Sequence, residues 1–473
     1  MIKRKLPPQN ILSNEDIESI HKTTMDILSN TGIEILHEEA LKIFKDNGAR
    51  VEGKKVYLSR KEVEEAVKKA PALFTLHARN PDNSVIIGGN NSVLSPGFGA
   101  PYVVDSDNTR RRSTLKDYIN FTKLGAEDEF IDTLGGVLVE LNDVPEDKRH
   151  AKMIYVSGKY SDKTLMGSAL GKKKALDCFK MISMLFGEDR IIDDRTVSIS
   201  IISTTSPLKY DTRMLGSLME HARYNQAVII ASLLMGGLTG PMTIAGNLVI
   251  QNAEVLTGIV LTQMINPGAP VVYGSASTLA DLKTANLTVG TSEYVKFVGA
   301  TAQLARYYNL PSRAGGVLTD SLIVDTQAGY DSMMTFLSSI NYGINFFLHT
   351  GGLLDNYMSM SYEKFVIDQE IMALVADIQS GIEVNRETLA GDLISEVGPG
   401  GNYLEKEHTF RHMKDMRQSE ISERSGRTGE EKGSLINTFD RANERWQSMI
   451  SDYETPYLDP VIERKLMEFI KSL

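Results

Sequence analysis

The segment Ser312–Ser332 concentrates side chains that could bind or transform a small ligand. Its sequence, SRAGGVLTDSLIVDTQAGYDS, starts as a short strand carrying Arg313 and continues as a polar loop with Asp320, Gln327 and Tyr330. A buried guanidinium is costly unless it is paired, so Arg313 either meets a carboxylate such as Asp320 or is ready for an anionic ligand group. The sequence leaves both alternatives open.

A second candidate position follows the apolar run INFFLHTGG. A strand with period-two alternation would place Asn345, Phe347 and His349 on one face. A histidine at the carboxyl end of such a strand could act in acid–base chemistry or bind a ligand. It could equally be held by backbone groups at the edge of the sheet.

Aromatic side chains occur in the glycine- and proline-rich segment SPGFGAPYVV, which contains Phe98 and Tyr102. The face of an aromatic ring attracts cations, so these residues could bind a positively charged ligand. Packing against neighbouring side chains is the commoner use of such residues, and the sequence does not decide between the two.

The sequence offers little for a metal centre or a covalent nucleophile. His408 and His412 have zinc-compatible spacing, but no Glu follows the first His and no third ligand is evident nearby, so we predict no metal site. The single cysteine, Cys178, lies in the helical pattern KKALDCFKMISML and is predicted to be a small core hydrophobe. No disulfide within the chain can form, and no covalent nucleophile is predicted.

Eight turns marked by Gly or Ser recur at intervals of roughly 32 to 41 residues and indicate the elements that carry these side chains. Most follow a short apolar run and precede a helical pattern, which predicts an α/β fold, a (β/α)8 TIM barrel with chemistry in the loops after the strands. The predicted strands are Tyr102–Val104, Thr133–Gly136, Thr164–Gly167, Val197–Ile202, Val228–Leu234, Val271–Tyr273, Arg313–Val317 and Phe346–Leu348. We expect an N-terminal α+β cap over 1–90, the barrel over 91–360, and a C-terminal helical extension over 361–473.

Composition restricts the classes of partner. The chain has 473 residues and a net charge of −10, which argues against nucleic acid and anionic membranes as partners. The uncharged stretch Tyr224–Ala253 contains Gly, Pro and Asn and is predicted to be a buried strand, turn and helix rather than a membrane span. We expect a cytoplasmic protein that forms homo-oligomers, with a charged loop over Glu405–Gly433.

Five long motifs, in this order, resemble the trimethylamine methyltransferase superfamily: SPGFGAPYV, SPLKYD, MGGLTGPMT, SRAGGVLTDSLIVDTQAGYDS and GPGGNYLEKEHTFRHM. The resemblance covers nearly the whole chain. It implies a TIM barrel that moves a methyl group from an amine to a cobalt corrinoid held by a separate protein. The archaeal trimethylamine enzymes carry pyrrolysine in the region that corresponds to Arg313–Tyr330. This chain has only standard residues there, so it resembles the non-pyrrolysine branch, whose known substrates are betaines.

The resemblance implies a quaternary amine as substrate, with glycine betaine first and carnitine, γ-butyrobetaine, proline betaine or trimethylamine as alternatives. The corrinoid would come from a cognate partner protein, with no cofactor tightly bound in this chain. A lyase or hydrolase that uses Asp320 and His349, and a betaine-binding scaffold without catalysis, are the other hypotheses. The residues expected to bind substrate are Arg313 and His349 at the carboxylate, Phe98, Tyr102 and Phe347 at the ammonium, and Gln327 and Tyr330 in the family block. Asp320 is expected either to orient Arg313 or to add charge complementarity.

Overall fold

A curled parallel sheet forms the centre of the molecule in the computed structural model, which describes residues 1–188, 190–424 and 436–473. A bridge between Leu94 and Ile131 brings the first strand beside the segment that leads into the second, so the ends of the parallel sheet meet. A ninth strand, Ile2–Lys3, runs antiparallel to the first. The parallel strands, in sequence and spatial order, are β1 (Asn91–Leu94), β2 (Thr133–Gly135), β3 (Thr164–Met166), β4 (Ser198–Ser203), β5 (Ala227–Ser232), β6 (Val271–Ser275), β7 (Ser312–Gly315) and β8 (Phe346–Leu348).

A helix follows each of the eight strands along the chain. These helices are Leu115–Glu127, Glu146–Tyr160, Lys172–Phe186, Thr212–Arg223, Ile244–Ile265, Ser292–Tyr307, Thr326–Asn341 and Tyr362–Ser380. Side-chain caps start several of them: Thr114, Asp211, Thr291, Asp325 and Ser361 each accept a hydrogen bond from a first-turn N–H. A cap satisfies a donor that the helix itself leaves unpaired. The predicted alternation of strands and helices along the chain is confirmed.

The space inside the curled sheet is a packed apolar core that is closed at the amino ends of the strands. An antiparallel hairpin, Leu73–Leu76 and Val85–Gly88, inserts its apolar side chains there. The N–H of His77 donates to the carbonyl of Thr196, just before β4. Ligand chemistry is therefore left to the carboxyl end, as is usual for barrels of parallel strands. The core side chains are Phe74, Leu76, Val85, Ile87, Val93, Met166, Ile199, Ala227, Ile229, Ala231, Val272, Phe346 and Leu348.

The predicted first strand is wrong. The chain enters the central sheet at Asn91–Leu94, and Tyr102–Val104 instead pairs with Arg110–Arg112 and Ser359–Met360 in a separate four-stranded sheet that also contains Leu353–Leu354. Asn91–Leu94 begins with two polar residues, whereas Tyr102–Val104 is uniformly apolar. The more hydrophobic run was favoured because hydrophobicity alone does not reveal which sheet a short strand joins. The other seven predicted strands overlap β2 to β8.

The N-terminal part contains the mixed elements that the sequence predicts, and the boundary of the proposed cap stays a prediction. Its helices are Asn14–Asn30, Glu38–Asp46 and Arg60–Val67. They surround a four-stranded sheet of Ile33–Ile35, Arg50–Glu52, Lys55–Tyr57 and Lys209–Tyr210. The last of these strands follows β4, so this unit is joined to the central sheet. A three-stranded sheet of Met235–Gly236, Thr278–Asp281 and Asn286–Leu287 lies after β5 and β6.

The C-terminal part is helical where it is described. Its helices are Arg386–Leu389, Gly391–Val397, Glu407–His412, Thr438–Ser451 and Pro460–Ser472, and one further short helix, Ile191–Asp194, lies just before β4. The predicted loop over Glu405–Gly433 therefore begins with a short helix, and its residues 425–433 lie outside the described residues. The helix Ile244–Ile265 is long and apolar enough to cross a membrane, yet most of it is buried inside the protein. That burial agrees with the predicted strand, turn and core helix.

Candidate active site

Arg313 is the central residue of the candidate site. It lies on β7 in register with Gly274 and Phe346, so its side chain points into the sheet interior, and it is only 1% exposed. Its Nη1 donates to the carbonyl of Ser275 at 2.7 Å, and its Nη2 lies 3.3 Å from Nδ1 of His349. Its Nε is buried and has no hydrogen-bond partner.

No ion pair among the described residues involves Arg313, although its guanidinium is fully buried. Burial lowers the pKa of Arg313, because the charged form loses its hydration. A buried cation without a carboxylate costs several kcal/mol in free energy unless an anion approaches it. The site is therefore electrostatically prepared for an anionic group.

His349 reaches Arg313 through an unusual backbone conformation. Its φ is 72°, in the left-handed region that residues other than glycine seldom adopt. The N–H of His349 donates to the carbonyl of Pro96, and its carbonyl accepts from Val317, so loops after two strands hold this conformation. Backbone strain of this kind is concentrated at functional sites.

The imidazole of His349 is neutral, and its Nδ1 contacts Arg313. Burial, together with the charge of Arg313, holds the pKa of His349 well below its usual value, and a hydrogen bond with the backbone of Phe98 only partly opposes this shift. Since a guanidinium can only donate, Nδ1 must accept from Arg313. His349 Nδ1 therefore orients Arg313 and is not available to a ligand carboxylate.

Aromatic rings surround this pair, and two of them were missed by the sequence analysis. Tyr357 follows β8 with φ of 76°, its ring lies 4.5 Å from that of His349, and its hydroxyl is buried without a hydrogen-bond partner. Tyr294 comes from the helix after β6 and accepts from the N–H of Gly315 at 2.9 Å. Burial raises the pKa of both hydroxyls. Neither residue lies in a motif or at a strand end, so no sequence signal marked them.

Phe98 lies at the carboxyl end of the sheet, as predicted. Its ring is 6.3 Å from the ring of His349 in an edge-to-face arrangement. It packs over Gly136, where a Cβ would come within 2.7 Å of the Phe98 ring. Gly136 therefore makes room for the aromatic ring beside the Arg313–His349 pair.

Two of the predicted aromatic ligands have other surroundings. Phe347 is fully buried on the outer face of β8 and packs edge-to-face on Phe336 at 5.3 Å, so its prediction as an ammonium ligand is wrong. Alternation along β8 directs its neighbours Phe346 and Leu348 inward instead. Tyr102 does bind a cation, but a cation of the same chain, since the guanidinium of Arg110 lies 3.8 Å from its ring centroid.

Asp320 borders the site without pairing with Arg313, which excludes the pairing alternative and leaves charge complementarity as a prediction. Its Oδ1 accepts from the N–H of Val289 at 2.7 Å, and its own N–H donates to Asp331 at 3.3 Å. Burial raises the pKa of Asp320, and its charge contributes to the raised pKa of Tyr357. The backbone N–H of Val289, and not Arg313, is therefore the partner of the Asp320 carboxylate.

The remaining predicted residues lie on the helix after β7. The Gln327 amide donates to Asp331 at 3.3 Å, next to the Asp320 loop. Tyr330 is 60% exposed on that helix. Gln327 therefore supports the edge of the site, whereas Tyr330 is directed to solvent.

Cys178 is buried in the helix after β3, as predicted, and burial raises the pKa of its thiol to about 12. Its thiol is therefore not a thiolate at neutral pH. The described residues offer a buried guanidinium without a carboxylate partner and aromatic rings beside it, an arrangement suited to binding an anion and a cation. Orientation, rather than covalent attack by the protein, is what this arrangement can provide.

Comparison with known proteins places the chain in a family. The model of the family described as trimethylamine methyltransferase (MTTB) matches residues 1–472. A glycine betaine methyltransferase of Desulfitobacterium hafniense strain Y51 is 48% identical, covering 98% of this chain and 97% of that protein. A trimethylamine methyltransferase of D. hafniense strain DSM 10664 / DCB-2 is 31% identical, covering 97% and 93%.

A solved structure supports the same fold. The crystal structure of the Methanosarcina barkeri monomethylamine methyltransferase aligns with a TM-score of 0.53 at 11% identity, covering 94% of this chain and 89% of that one. The fold is thus α/β and TIM-barrel-like, and the resemblance inferred from the five motifs is confirmed. The chain belongs to the trimethylamine methyltransferase family.

Proposed function

We propose that this methyltransferase takes a methyl group from glycine betaine, and that a corrinoid carried by a separate protein is the acceptor. The observation that carries the proposal is Arg313, a fully buried guanidinium with a free Nε and no carboxylate partner. The carboxylate of a betaine would supply the missing anion. The similarity to a glycine betaine methyltransferase at 48% identity supports the same substrate.

The pocket would hold the two charges of the substrate in different places. Arg313 Nε and the Tyr357 hydroxyl are the buried donors without partners, so both would bind the carboxylate. His349 acts as a positioning residue that fixes the guanidinium. The trimethylammonium group would lie toward the ring of Phe98, where cation–π attraction adds affinity.

The reaction needs little from the protein beyond position and dehydration. The corrinoid supplies a cobalt(I) nucleophile when the partner protein docks. A quaternary ammonium already carries a full positive charge, so its nitrogen leaves as a neutral tertiary amine and no proton is transferred. The chain must aim one N-methyl group out of the carboxyl end and keep water out, which is catalysis by orientation and desolvation. The Nδ1 lone pair of His349 is taken up by Arg313, and the Cys178 thiol has a raised pKa, so neither offers a strong competing nucleophile.

The proposal also includes closure of the barrel and the bounds of the N-terminal and C-terminal units. We take the curled sheet to be a closed (β/α)8 barrel, because the bridge at Leu94 and Ile131 joins its ends. The unit over 1–90 would then be a cap and 361–473 a helical extension. A cytoplasmic location, homo-oligomers, and no nucleic-acid or membrane partner fit the acidic composition.

The test is methylation of a cobalt(I) corrinoid with a panel of amines, followed by the absorption of methyl-cobalt. Glycine betaine should give the highest kcat/KM among glycine betaine, proline betaine, carnitine, γ-butyrobetaine and trimethylamine. Reaction with trimethylamine alone would refute the proposed substrate. Turnover of a betaine without corrinoid would favour a lyase or hydrolase, and binding without cobalt methylation would favour a scaffold.

A further inference from the structure

We infer that Glu387, His408 and His412 form a Zn²⁺ site in the C-terminal helical part. One ligand atom from each of the three side chains lies within 4.8 Å of the others. Imidazole nitrogen and carboxylate oxygen are ligand types that zinc prefers. The spacing of the two histidines could not reveal the site by itself, because Glu387 lies 21 residues before His408.

Two short helices bring the three ligands together. His408 and His412 are one turn apart on the helix Glu407–His412, and their ring centroids are 4.3 Å apart. Glu387 belongs to the helix Arg386–Leu389, and its backbone carbonyl lies 3.3 Å from Nε2 of His408. A metal ion would therefore link two helices that are each too short to be stable alone.

The environment of His412 is that of a prepared ligand. Its Nδ1 lies 2.5 Å from Oδ2 of Asp415, which fixes the proton on that nitrogen. Its Nε2 is then directed at the cluster and lies 3.5 Å from Oε1 of Glu387. This nitrogen is buried and has no hydrogen-bond partner. Carboxylate–histidine pairs of this kind orient zinc ligands in many proteins.

The charges around the cluster permit a divalent cation. Arg411 currently neutralises Glu387, with Nη1 2.7 Å from Oε1. A second carboxylate, Glu407, lies 3.7 Å from Nε of Arg411 and can take over this pairing. Zinc bonds of about 2.0–2.2 Å require the ligand atoms to approach by roughly 1 Å, a movement that side-chain rotation supplies. Two nitrogen ligands favour Zn²⁺ over Mg²⁺ or Ca²⁺.

The experiment is a Zn²⁺ titration of the full chain in competition with a chromophoric chelator. We expect one saturable site, weakened at least tenfold by each of Glu387→Gln, His408→Gln and His412→Gln. Asp415→Asn should weaken binding about tenfold, as loss of an outer-shell partner does. His77→Gln, which alters a histidine at the amino end of the sheet and outside the cluster, is the matched control and should bind Zn²⁺ as the native chain does.

A second readout reports coordination directly. Co²⁺ in place of Zn²⁺ should give the visible absorption of a tetrahedral site in the native chain, and this absorption should vanish in His408→Gln and His412→Gln. Circular dichroism checks that each variant is folded. The proposal fails if Zn²⁺ shows no saturable binding, or if the variant lacking all three ligands binds as tightly as the native chain. In that case, His412 serves only as an ion-pair partner of Asp415 and Glu387.

Discussion

Replacing Arg313 with alanine is the sharpest test of the proposed site. The substitution removes a guanidinium whose Nη1 bonds the carbonyl of Ser275 and whose Nε has no partner in the protein. If that Nε and the cationic charge bind the betaine carboxylate, the variant must hold the same carboxylate in a buried pocket without a counter-ion. Binding and turnover of glycine betaine should therefore fall together.

The magnitude follows from the burial of the group. A hydrogen bond to a charged group contributes about 1.5–3 kcal/mol, and leaving one buried charge unpaired costs about 3–5 kcal/mol. Taking about 3–4 kcal/mol for the loss gives a decrease in kcat/KM of roughly 100- to 1,000-fold. Arg313→Lys keeps the positive charge but loses the planar guanidinium with its several N–H donors. Its kcat/KM should therefore lie between those of the native chain and Arg313→Ala.

The assay is methyl-cobalt formation at varied glycine betaine, with Arg4→Ala as the matched control. Arg4 is a second buried arginine, but it binds Ser92 and the carbonyl of Gly89 near the start of β1, at the end of the sheet opposite the site. Arg4→Ala should lower stability and leave KM unchanged. Equal losses of kcat/KM in the two variants would show that the effect of Arg313 is structural, and an unchanged KM in Arg313→Ala would remove it from the pocket.

Three further predictions follow from single side chains. Tyr357→Phe removes a buried hydroxyl that has no hydrogen-bond partner, so thermal stability should not decrease. The KM for glycine betaine should rise about three- to tenfold, and an unchanged KM would contradict the proposed contact. Phe347→Ala should lower the unfolding free energy by about 3–5 kcal/mol, because the buried ring packs on Phe336. The KM for glycine betaine should stay within about twofold of the native value, and a large rise would place Phe347 in the substrate pocket. His221 is fully buried and its pKa is lowered from 6.5 to about 4, so its contribution to stability is complete above pH 6.5 and is lost as the pH falls toward 4. Between pH 8 and pH 5 this loss is about 2 kcal/mol, and urea unfolding of His221→Gln should lack it; identical pH profiles would refute the assignment.

The sequence predicts those parts of the site that lie on regular strands. Arg313 lies on β7 and His349 directly follows the neighbouring β8, and the structure brings their side chains to 3.3 Å. The prediction for Phe347 failed because alternation was extended through His349, although the chain turns into a left-handed conformation after β8. That turn puts His349 on the inner side together with Leu348, whereas Phe347 stays outside.

Other residues could not be found by such reasoning. Tyr294 comes from a helix and Tyr357 from an irregular loop, so their proximity to Arg313 depends on tertiary packing. The pairing of Asp320 depends on the N–H of Val289, a backbone group whose position no pattern of residue types encodes. Tyr102 was placed near the site only because its strand was assigned to the wrong sheet.

The hairpin Leu73–Leu76 and Val85–Gly88 closes one end of the sheet and so bears on the order in which substrate and corrinoid protein would bind. It fills the amino end of the sheet with apolar side chains. If the proposed function holds, the substrate and the corrinoid protein would therefore both use the carboxyl end. A protein that brings cobalt to the methyl group covers that end when it docks. Under the proposed function, we therefore expect the betaine to bind first and the demethylated amine to leave last, after the two proteins have dissociated.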